Sequence, residues 1–393
     1  PASVMGVWME QGEQFCPELR CATYRGPAER RHTALKSGDW QVLVMNYALL
    51  RMDVEVLMQQ EFDLVILDEA QYIKNPDAQV TLAAKAIKAK RTLALTGTPL
   101  ENRLLDLWSI MDFLNPSFLG PKDLFMARFE GPHGLSRLAE RIAPVILRRT
   151  KEAVAPELPP RTEEVIHIDL PLAQRKIYDQ QLAKARHSLK TRGPIEILAS
   201  ITRLRQICCH PMLVDEVFAA GSAKLDTLVE MLEEIVAGGH SALVFSQFTS
   251  MLDLVRETLA TAEIPTMTIT GETPTHRRGE LVREFNESPH ENVFLLSLRA
   301  AGTGLTLTRA DYVFLYDPWW NPAVERQAID RTHRIGQDKP VFAYRLVAAE
   351  TVEEKVLFMQ EQKAELFDEV LGGAESRGMP SRLTASDLRS LLE

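Results

Sequence analysis

The chain has 393 residues, of which 45% are apolar and 25% charged, an ordinary composition for a folded protein with more than one domain. Its 54 acidic residues outnumber its 45 lysines and arginines, so the net charge of −9 excludes nucleic-acid binding through bulk positive charge and leaves only local basic patches for it. No apolar stretch is long enough to span a bilayer, and we therefore expect no membrane partner.

The first third of the chain alternates helix-like and strand-like segments. Apolar residues at positions 4, 7, 8 and 15 have helical spacing. Three predicted strands follow: QVLVMNY (41–47), FDLVILDE (62–69) and RTLALTGTP (91–99). Residues 64 to 67 are all apolar, so we predict that this strand is buried on both faces, as in a parallel sheet.

Residues 116–218 have a mostly helical pattern, interrupted by PELPPRTEEVIHIDLP (156–171), in which prolines bracket one strand-like run. A second alternating series begins near residue 222. Its predicted strands are SALVFSQF (241–248), PTMTITG (265–271), NVFLLSL (292–298), DYVFLYDP (311–318) and VFAYRLV (341–347). Repeated strand–helix–strand order predicts an α/β fold with two parallel-sheet domains and right-handed crossovers.

An acid pair, Asp68 and Glu69, follows the apolar strand of the first series. Open α/β sheets bind ligands at the carboxyl ends of their strands, so the pair suggests a magnesium ligand and a base for water. The simpler alternative is a helix start, where carboxylates favour the positive end of the helix dipole. The local stretch leaves both interpretations open.

A second constellation lies in NPAVERQAIDRTHRIGQ (321–337). Pro322 suits a helix start, and we predict that Gln327, Arg331 and Arg334 lie on one helix face at i, i+4 and i+7. Such arginines could clamp a phosphate, whereas the alternative is a solvated helix with ordinary ion pairs. The phosphate interpretation gains weight because the helix follows a sheet strand and the unusual turn DPWWNP.

Two strand ends carry weaker signals. Gly302 and Gly304 flank a threonine after the strand NVFLLSL, where glycines let backbone amides approach a phosphate or ribose. A tight β-to-α turn explains the glycines equally well. The threonines of LALTGTPLENRL (93–104) either sense a nucleotide or cap the next helix.

Four cysteines, Cys16, Cys21, Cys208 and Cys209, lack the spacing of a zinc clip or a disulfide framework. We predict that they are reduced and mostly buried thiols.

The order of these segments resembles the motif order of the SWI/SNF-related ATPases of helicase superfamily two, and the motif sequences are most similar to those of bacterial members. DEAQYIKN (68–75) is similar to the second motif of that family, with Gln71 where histidine is usual. Thr306 stands where the family commonly has asparagine, and Ala301 where it often has glycine. Blocks largely peculiar to the family resemble LRRTKEAVAPELPPRTE (147–163), RQICCHP (205–211) and YDPWWNPAVERQAIDRTHRIGQDKPVFAYRLV (316–347).

The resemblance implies two RecA-like parallel-sheet lobes, the first incomplete, with helical insertions and with ATP and Mg²⁺ bound between the lobes. By motif position, Asp68 would hold Mg²⁺ through water and Glu69 would polarise the attacking water. Arg331 and Arg334 would act as arginine fingers. The other residues carried over are the cleft residues Gln327, Gly302 and Gly304 and the candidate DNA contacts Lys74, Asn75, Arg103 and Trp320.

The implied activity is a DNA-dependent ATPase that moves along double-stranded DNA, holding its phosphate backbone without reading sequence or separating strands. A nucleoprotein or a polymerase is the further partner expected, in the bacterial cytoplasm at the nucleoid or in a nucleus. One rival is a non-catalytic pseudo-motor that binds DNA or a protein without ATP turnover. A second rival is a strand-separating helicase of the same superfamily.

The phosphate-binding P-loop, G-x-x-x-x-G-K-[ST], has no counterpart, since no Gly-Lys dipeptide occurs in the 393 residues. In the family this loop precedes the segment that PASVMGVWMEQ resembles. We therefore expect that the sequence begins downstream of a P-loop, that the first lobe lacks its first strand and helix, and that a sheet edge is open. The expected parts are a partial first lobe (1–115), helical protrusions and a proline-rich connector (116–218), a second lobe (219–349) and C-terminal helices with a brace (350–393).

Overall fold

The computed structural model describes residues 4–97, 104–129, 134–149, 151–188, 194–215, 221–301, 305–371 and 391–392. The chain divides into a first unit, residues 1–146 with 366–381, and a second unit, residues 147–365 with 382–393. The boundaries expected at residues 115, 218 and 349 stay predictions. In the described ranges no helix combines the length and the apolar character that crossing a membrane requires.

The first unit contains two separate pairs of parallel strands. Its strands are β1 (Cys21–Thr23), β2 (Val42–Val44), β3 (Glu61–Asp68) and β4 (Lys88–Leu95). Its helices are α1 (Met5–Phe15), α2 (Ala28–Ser37), α3 (Tyr47–Met52), α4 (Val54–Leu57), α5 (Gln79–Ala86), α6 (Leu104–Leu114), α7 (Lys122–Phe129) and α8 (Gly134–Ile142). β1 pairs with β2, and β3 pairs with β4. Among the described residues, each of these strands therefore keeps one unpaired edge.

The prediction that β3 is buried on both faces is wrong. Leu67 is buried, but Leu64 and Ile66 are 47% and 41% exposed. Ile66 is in register with Leu93 of β4, which is 44% exposed, and residues in register on parallel strands share one face. This face of the β3–β4 pair is thus uncovered in the part of the chain that the structure describes.

Leu67, on the opposite face of β3, packs in the apolar core of the first unit with Leu35 and Leu57. A buried ion pair lies beside this core, with Arg31 Nε 2.7 Å from Asp53 Oδ2. A second apolar cluster joins the helices α6, α7 and α8.

The second unit is built on one six-stranded parallel sheet of order β5-β10-β9-β6-β8-β7. The strands are β5 (Arg161–Ile168), β6 (Ala242–Ser246), β7 (Thr266–Ile269), β8 (Val293–Ser297), β9 (Tyr312–Leu315) and β10 (Val341–Ala348). The helices are α9 (Lys151–Val154), α10 (Leu172–Ser188), α11 (Pro194–Cys209), α12 (Ala223–Ala237), α13 (Thr249–Thr261), α14 (Thr275–Glu287), α15 (Leu298–Ala301), α16 (Pro322–Ile329) and α17 (Val352–Leu371). Residues 366–371 of α17 are assigned to the first unit. All five strands predicted for this series form, and the proline-bracketed run joins the sheet edge as β5.

Every residue of β6 and of β8 is buried, because apolar clusters pack on both faces of this sheet. Lys224 of α12 and Glu353 of α17 form an ion pair 2.8 Å long in which both side chains are fully buried. Cys208 and Cys209 are also buried, which raises the pKa of both thiols. All four cysteines are free, as predicted.

Candidate functional site

The acid pair lies where β3 ends. Asp68 is the last residue of the strand, and Glu69 begins the turn into a short 3-10 helix, Ala70–Ile73. Glu69 has φ +53°, in the left-handed region. This conformation costs a non-glycine residue on the order of 1–3 kcal/mol, and such strain is concentrated at functional sites. The backbone conformation and the sequence pattern therefore both indicate Glu69 as a candidate functional residue.

Hydrogen bonds from three directions fix Asp68. Its Oδ1 accepts from the backbone N of Glu69 at 2.9 Å, and its Oδ2 accepts from Trp8 Nε1 of α1 at 2.9 Å. Tyr47 Oη, at the start of α3, donates to the carbonyl oxygen of Asp68 at 2.8 Å. The sequence did not identify Trp8 or Tyr47 as site residues. Tyr47 could have been found, since it is the last residue of the predicted strand QVLVMNY, and Asp68 also lies at the end of a predicted strand.

Gln71 links the acid pair to the neighbouring strand end. Its Nε2 donates to Glu69 Oε2 at 2.6 Å, and its Oε1 accepts from Thr96 Oγ1 at 2.7 Å. A carboxamide donates and accepts at once, so it can bridge these two groups without a change of charge. Gln71, which stands where the family usually has histidine, therefore connects the predicted base Glu69 after β3 to Thr96 after β4.

The electrostatic potential around Asp68 and Glu69 is negative. Burial and then the charges of Asp68 and Glu69 raise the pKa of Tyr47. Burial and then Glu69 raise the pKa of Tyr72, whose ring stacks on Tyr47 at 5.0 Å between centroids. This potential favours a cation beside the carboxylates.

The donor set fits magnesium. No group of three or more His, Cys, Asp or Glu residues in the described ranges forms an all-protein metal cage. Mg²⁺ is commonly bound through one or two carboxylates, with water and substrate phosphates in its other positions. Asp68, with Glu69 beside it, offers such a partial set.

Two of the candidate DNA contacts lie just beyond the acid pair. Lys74 is half-buried at the end of the 3-10 helix, and Asn75 is exposed. Asn75 shapes the turn into α5, because its carbonyl oxygen accepts from Thr81 Oγ1 at 2.6 Å. Arg103 lies outside the described residues.

The prediction that Gln327, Arg331 and Arg334 share one helix face is wrong. Asn321 caps α16, and the helix ends at Ile329, so the two arginines belong to the turn that follows. Lys151 Nζ holds that turn by donating to Asp330 Oδ1 and to the carbonyl oxygen of His333, both at 2.6 Å. These contacts hold the turn that follows the helix, and no local sequence pattern indicates them. Gln327 is half-buried on α16.

The turn that contains Arg331 and Arg334 contacts Thr306 and Leu307. Arg331 is 7% exposed, and its carbonyl oxygen accepts from the backbone N of Leu307 at 2.9 Å. Arg334 Nη1 donates to Thr306 Oγ1 at 3.1 Å. The threonine found in place of the family's asparagine therefore holds Arg334. Gly302 and Gly304 lie outside the described residues.

Trp320 packs against a buried arginine that the sequence did not identify as a site residue. The guanidinium of Arg205 lies 5.1 Å from the centre of the Trp320 ring and is 1% exposed. It donates to Gln247 Oε1 at 3.0 Å and to the carbonyl oxygen of Pro318. Arg205 thus fixes the DPWWNP turn that precedes α16. Arg205 could have been found, because it is the first residue of RQICCHP, one of the blocks that resemble the family.

The predicted site residues are divided between the units. The first unit brings Asp68 and Glu69 together with Trp8, Tyr47, Gln71 and Thr96. The second brings Arg331 and Arg334 together with Lys151 and Thr306.

Comparison with protein families gives two matches that follow one another along the chain. The SNF2-related domain matches residues 1–213, and the helicase conserved C-terminal domain matches residues 223–336. An uncharacterized ATP-dependent helicase of Mycoplasma genitalium is 37% identical over 377 residues, covering 94% of this chain and 37% of its own length. The human SWI/SNF-related matrix-associated actin-dependent regulator of chromatin subfamily A member 1 is 33% identical, covering 93% of this chain and 38% of its own. The chain spans well under half the length of these relatives.

Among solved structures, the SWI2/SNF2 ATPase core of Sulfolobus solfataricus in complex with double-stranded DNA is 32% identical and has a TM-score of 0.50. The match covers 100% of this chain and 85% of the archaeal one. These matches confirm the α/β class with RecA-like lobes and the resemblance that includes bacterial members. The chain therefore belongs to the SNF2-related family of helicase-like ATPase cores.

Proposed function

We propose that this chain is the motor region of an ATP-dependent double-stranded DNA translocase that remodels nucleoprotein. The observation that carries the proposal is the acid pair after β3, which Trp8 and Tyr47 position and which Gln71 links to Thr96. A solvated helix start would need none of these contacts.

ATP is the proposed substrate, and Glu69 is the proposed base. The Gln71 amide holds Glu69 Oε2, which orients the carboxylate and leaves Oε1 to accept a proton from the attacking water. Asp68 would hold Mg²⁺, which would supply charge neutralisation for the phosphates.

The arginines of the second unit have the complementary role. Arg331 and Arg334 would stabilise the negative charge that grows during transfer of the γ-phosphoryl group, as guanidinium groups do in related reactions. The contact of Arg334 with Thr306 would hold this side chain ready for that task. Gln327, Gly302 and Gly304 stay the proposed lining of the nucleotide cleft.

Double-stranded DNA is the proposed track. The solved archaeal core contains double-stranded DNA, and this supports a similar partner here. Lys74, Asn75, Arg103 and Trp320 are the proposed contacts, and a nucleoprotein or polymerase is the proposed target. Phosphate contacts of this kind predict binding that weakens steeply with salt and depends little on sequence.

The decisive experiment concerns Glu69. In a form of the protein that carries a GxGKT-type loop ahead of residue 1, Glu69→Gln should abolish DNA-stimulated ATP hydrolysis, because the amide cannot take a proton. ATP binding, measured by equilibrium titration, should be retained. Asp63→Asn, on the same strand but exposed, is the matched control and should hydrolyse ATP normally. Hydrolysis by Glu69→Gln at the parent rate would show that another residue is the base.

The 393 residues alone should hydrolyse ATP slowly or not at all, since they contain no P-loop lysine. The rival is a pseudo-motor that binds DNA without turnover. If the form with the added loop binds double-stranded DNA but still hydrolyses no ATP, the pseudo-motor replaces the translocase as the function.

A further inference from the structure

A lysine far away in the chain binds the turn that carries the two arginines. We call this turn, residues 330–334, the arginine turn. Lys151, the first residue of α9, donates from Nζ to Asp330 Oδ1 and to the carbonyl oxygen of His333, both at 2.6 Å. Because Asp330 precedes Arg331 and His333 follows it, one ammonium group holds the chain on both sides of that arginine.

The segment that Lys151 begins contacts the arginine turn again further along. His333 Nε2 lies 2.9 Å from the carbonyl oxygen of Pro159. A carbonyl oxygen can only accept, so this ring nitrogen donates. Arg161 Nη1 lies 3.4 Å from Asp330 Oδ1. The segment therefore binds the arginine turn near both of its ends.

The bonds inside the arginine turn and those from Lys151 have different effects. Within the turn, backbone groups bond to near neighbours, as when Arg331 N donates to Ala328 O at 3.2 Å. Such bonds set the shape of the turn but not its position in the unit. Lys151 is 179 positions from Asp330, so its bonds fix that position. A misplacement of about 1 Å near a reacting group can cost about a hundredfold in rate.

The charges around Lys151 include that of one proposed arginine finger. Burial lowers the pKa of Lys151, the Asp330 carboxylate opposes this, and the charges of Arg161 and Arg334 lower it further. Arg334 is therefore close enough for its charge to act on Lys151. The Asp330 carboxylate lies among these cations and offsets their mutual repulsion.

We propose that Lys151 is a positioning residue for ATP hydrolysis, which holds the arginine turn where Arg331 and Arg334 can act on the γ-phosphate. An ordinary surface ion pair is the simpler interpretation, since the Lys151 and Asp330 side chains are 35% and 37% exposed. Such a pair would not need the second bond, from the same ammonium group to a backbone carbonyl. The inference rests on the proposed function, because it concerns the arginines of that site.

The kinetic test uses the form of the protein with the added loop. Lys151→Met should lower kcat for DNA-stimulated ATP hydrolysis about tenfold or more and leave KM for ATP within about threefold, because the arginines act on the transition state. Lys151→Arg should recover most of the rate, since a guanidinium group also donates to a carboxylate and a carbonyl. Lys176→Met, at an exposed lysine of α10, is the matched control and should hydrolyse ATP normally. Hydrolysis by Lys151→Met at the parent rate, or an equal loss in Lys176→Met, would overturn the proposal.

A double-mutant cycle tests the contact itself. Asp330→Ala removes one of the two acceptors and should lower kcat by a smaller factor than Lys151→Met does. The double variant should be about as slow as Lys151→Met alone, because both substitutions break the same contact. Losses that multiply in the double variant would show that the two residues act independently and would overturn the proposal.

Two measurements distinguish this inference from the proposed function. If Arg331→Gln hydrolyses ATP at the parent rate, the proposed role of the arginines is wrong, and the positioning role falls with it. If Arg331→Gln is inactive but Lys151→Met is not impaired, only the positioning role is wrong.

The second measurement needs no ATP and uses the 393-residue chain itself. Lys151→Met should speed hydrogen exchange in the peptide 328–337 about tenfold relative to Lys176→Met, because the arginine turn loses two of its bonds. Unchanged exchange would overturn the positioning role even if no form of the protein hydrolyses ATP. If Lys151→Met does not fold, Asp330→Ala provides the same two readouts.

Discussion

The strands β3 and β8 have similar apolar sequences but very different surroundings. β3 contains Leu64–Leu67, and β8 is VFLLS at Val293–Ser297. β8 pairs on both edges, with β6 and β7, and all of its residues are buried. Among the described residues β3 pairs only with β4, and two of its four apolar residues are more than 40% exposed. Burial of a strand is therefore a property of its neighbours as well as of its sequence.

The two units differ in their ion pairs in the same way. Lys224 and Glu353 of the second unit are fully buried and 2.8 Å apart. Lys90 and Asp63 pair across β4 and β3 at 2.6 Å, but their side chains are 73% and 87% exposed. The two distances are similar but the energies are not, since solvent screens the exposed pair, whereas a buried charge depends on its partner.

The largest effect that we predict comes from breaking the buried pair. Glu353→Gln leaves the Lys224 ammonium buried without a countercharge, and such changes cost about 3–5 kcal/mol. Urea titration of the second unit, followed by hydrogen exchange on its peptides, measures this loss. Asp63→Asn, in the exposed pair, is the control and should leave the titration of the first unit unchanged. A loss equally small for both variants would contradict the contrast.

The next effect concerns the strands themselves. Leu295→Ala in β8 removes a side chain with 0% exposure and should cost about 2–5 kcal/mol through lost burial and the cavity left behind. Ile66→Ala in β3 removes a side chain that is 41% exposed and should change stability by about 0.5 kcal/mol or less. The same exchange measurement, read on peptides from each unit, compares them. A cost for Ile66→Ala that matches Leu295→Ala would show that the face of β3 is covered in solution.

The order of the elements and the position of the acid pair were predictable from sequence, because both depend on local patterns. Alternating apolar segments gave the strands of the six-stranded sheet, and an apolar run ending in two acids placed Asp68 and Glu69 at a strand end. The contacts of those acids were not predictable. Trp8 lies 60 positions from Asp68, and only the fold brings the two together.

The end of α16 shows the same limit from the other direction. Helical spacing continues past Ile329 in the sequence, yet the helix ends there, and Lys151 binds the Asp330 carboxylate and the His333 carbonyl in the turn that follows. That lysine is 179 positions from Asp330, so no local pattern contains it. The burial of β3 was predicted wrongly for a related reason, since a strand sequence does not say which neighbours are present.

The smallest predicted effect is a difference in pH dependence between two buried aspartates, one in each unit. Arg31 donates directly to Asp53 at 2.7 Å and holds the pKa of that carboxyl below its usual value. Arg205 is 3.5 Å from Asp317, and there burial prevails and raises the pKa to about 6. The two carboxyls should therefore give the two units opposite responses to pH.

The stability that Asp317 contributes is complete below the pKa of the unfolded chain, near 3.8, and is lost as pH rises through about 6. Between pH 5 and pH 7 this amounts to about 1 kcal/mol of stability lost by the second unit. Asp317→Asn should remove that slope. Asp53 has a lowered pKa, so its contribution is present in this window and is lost only as pH falls further, and Asp53→Asn should leave the slope of the first unit between pH 5 and pH 7 unchanged. Urea titrations of both variants across this range, read unit by unit, test the pair, and a slope that persists in Asp317→Asn would show that another group titrates.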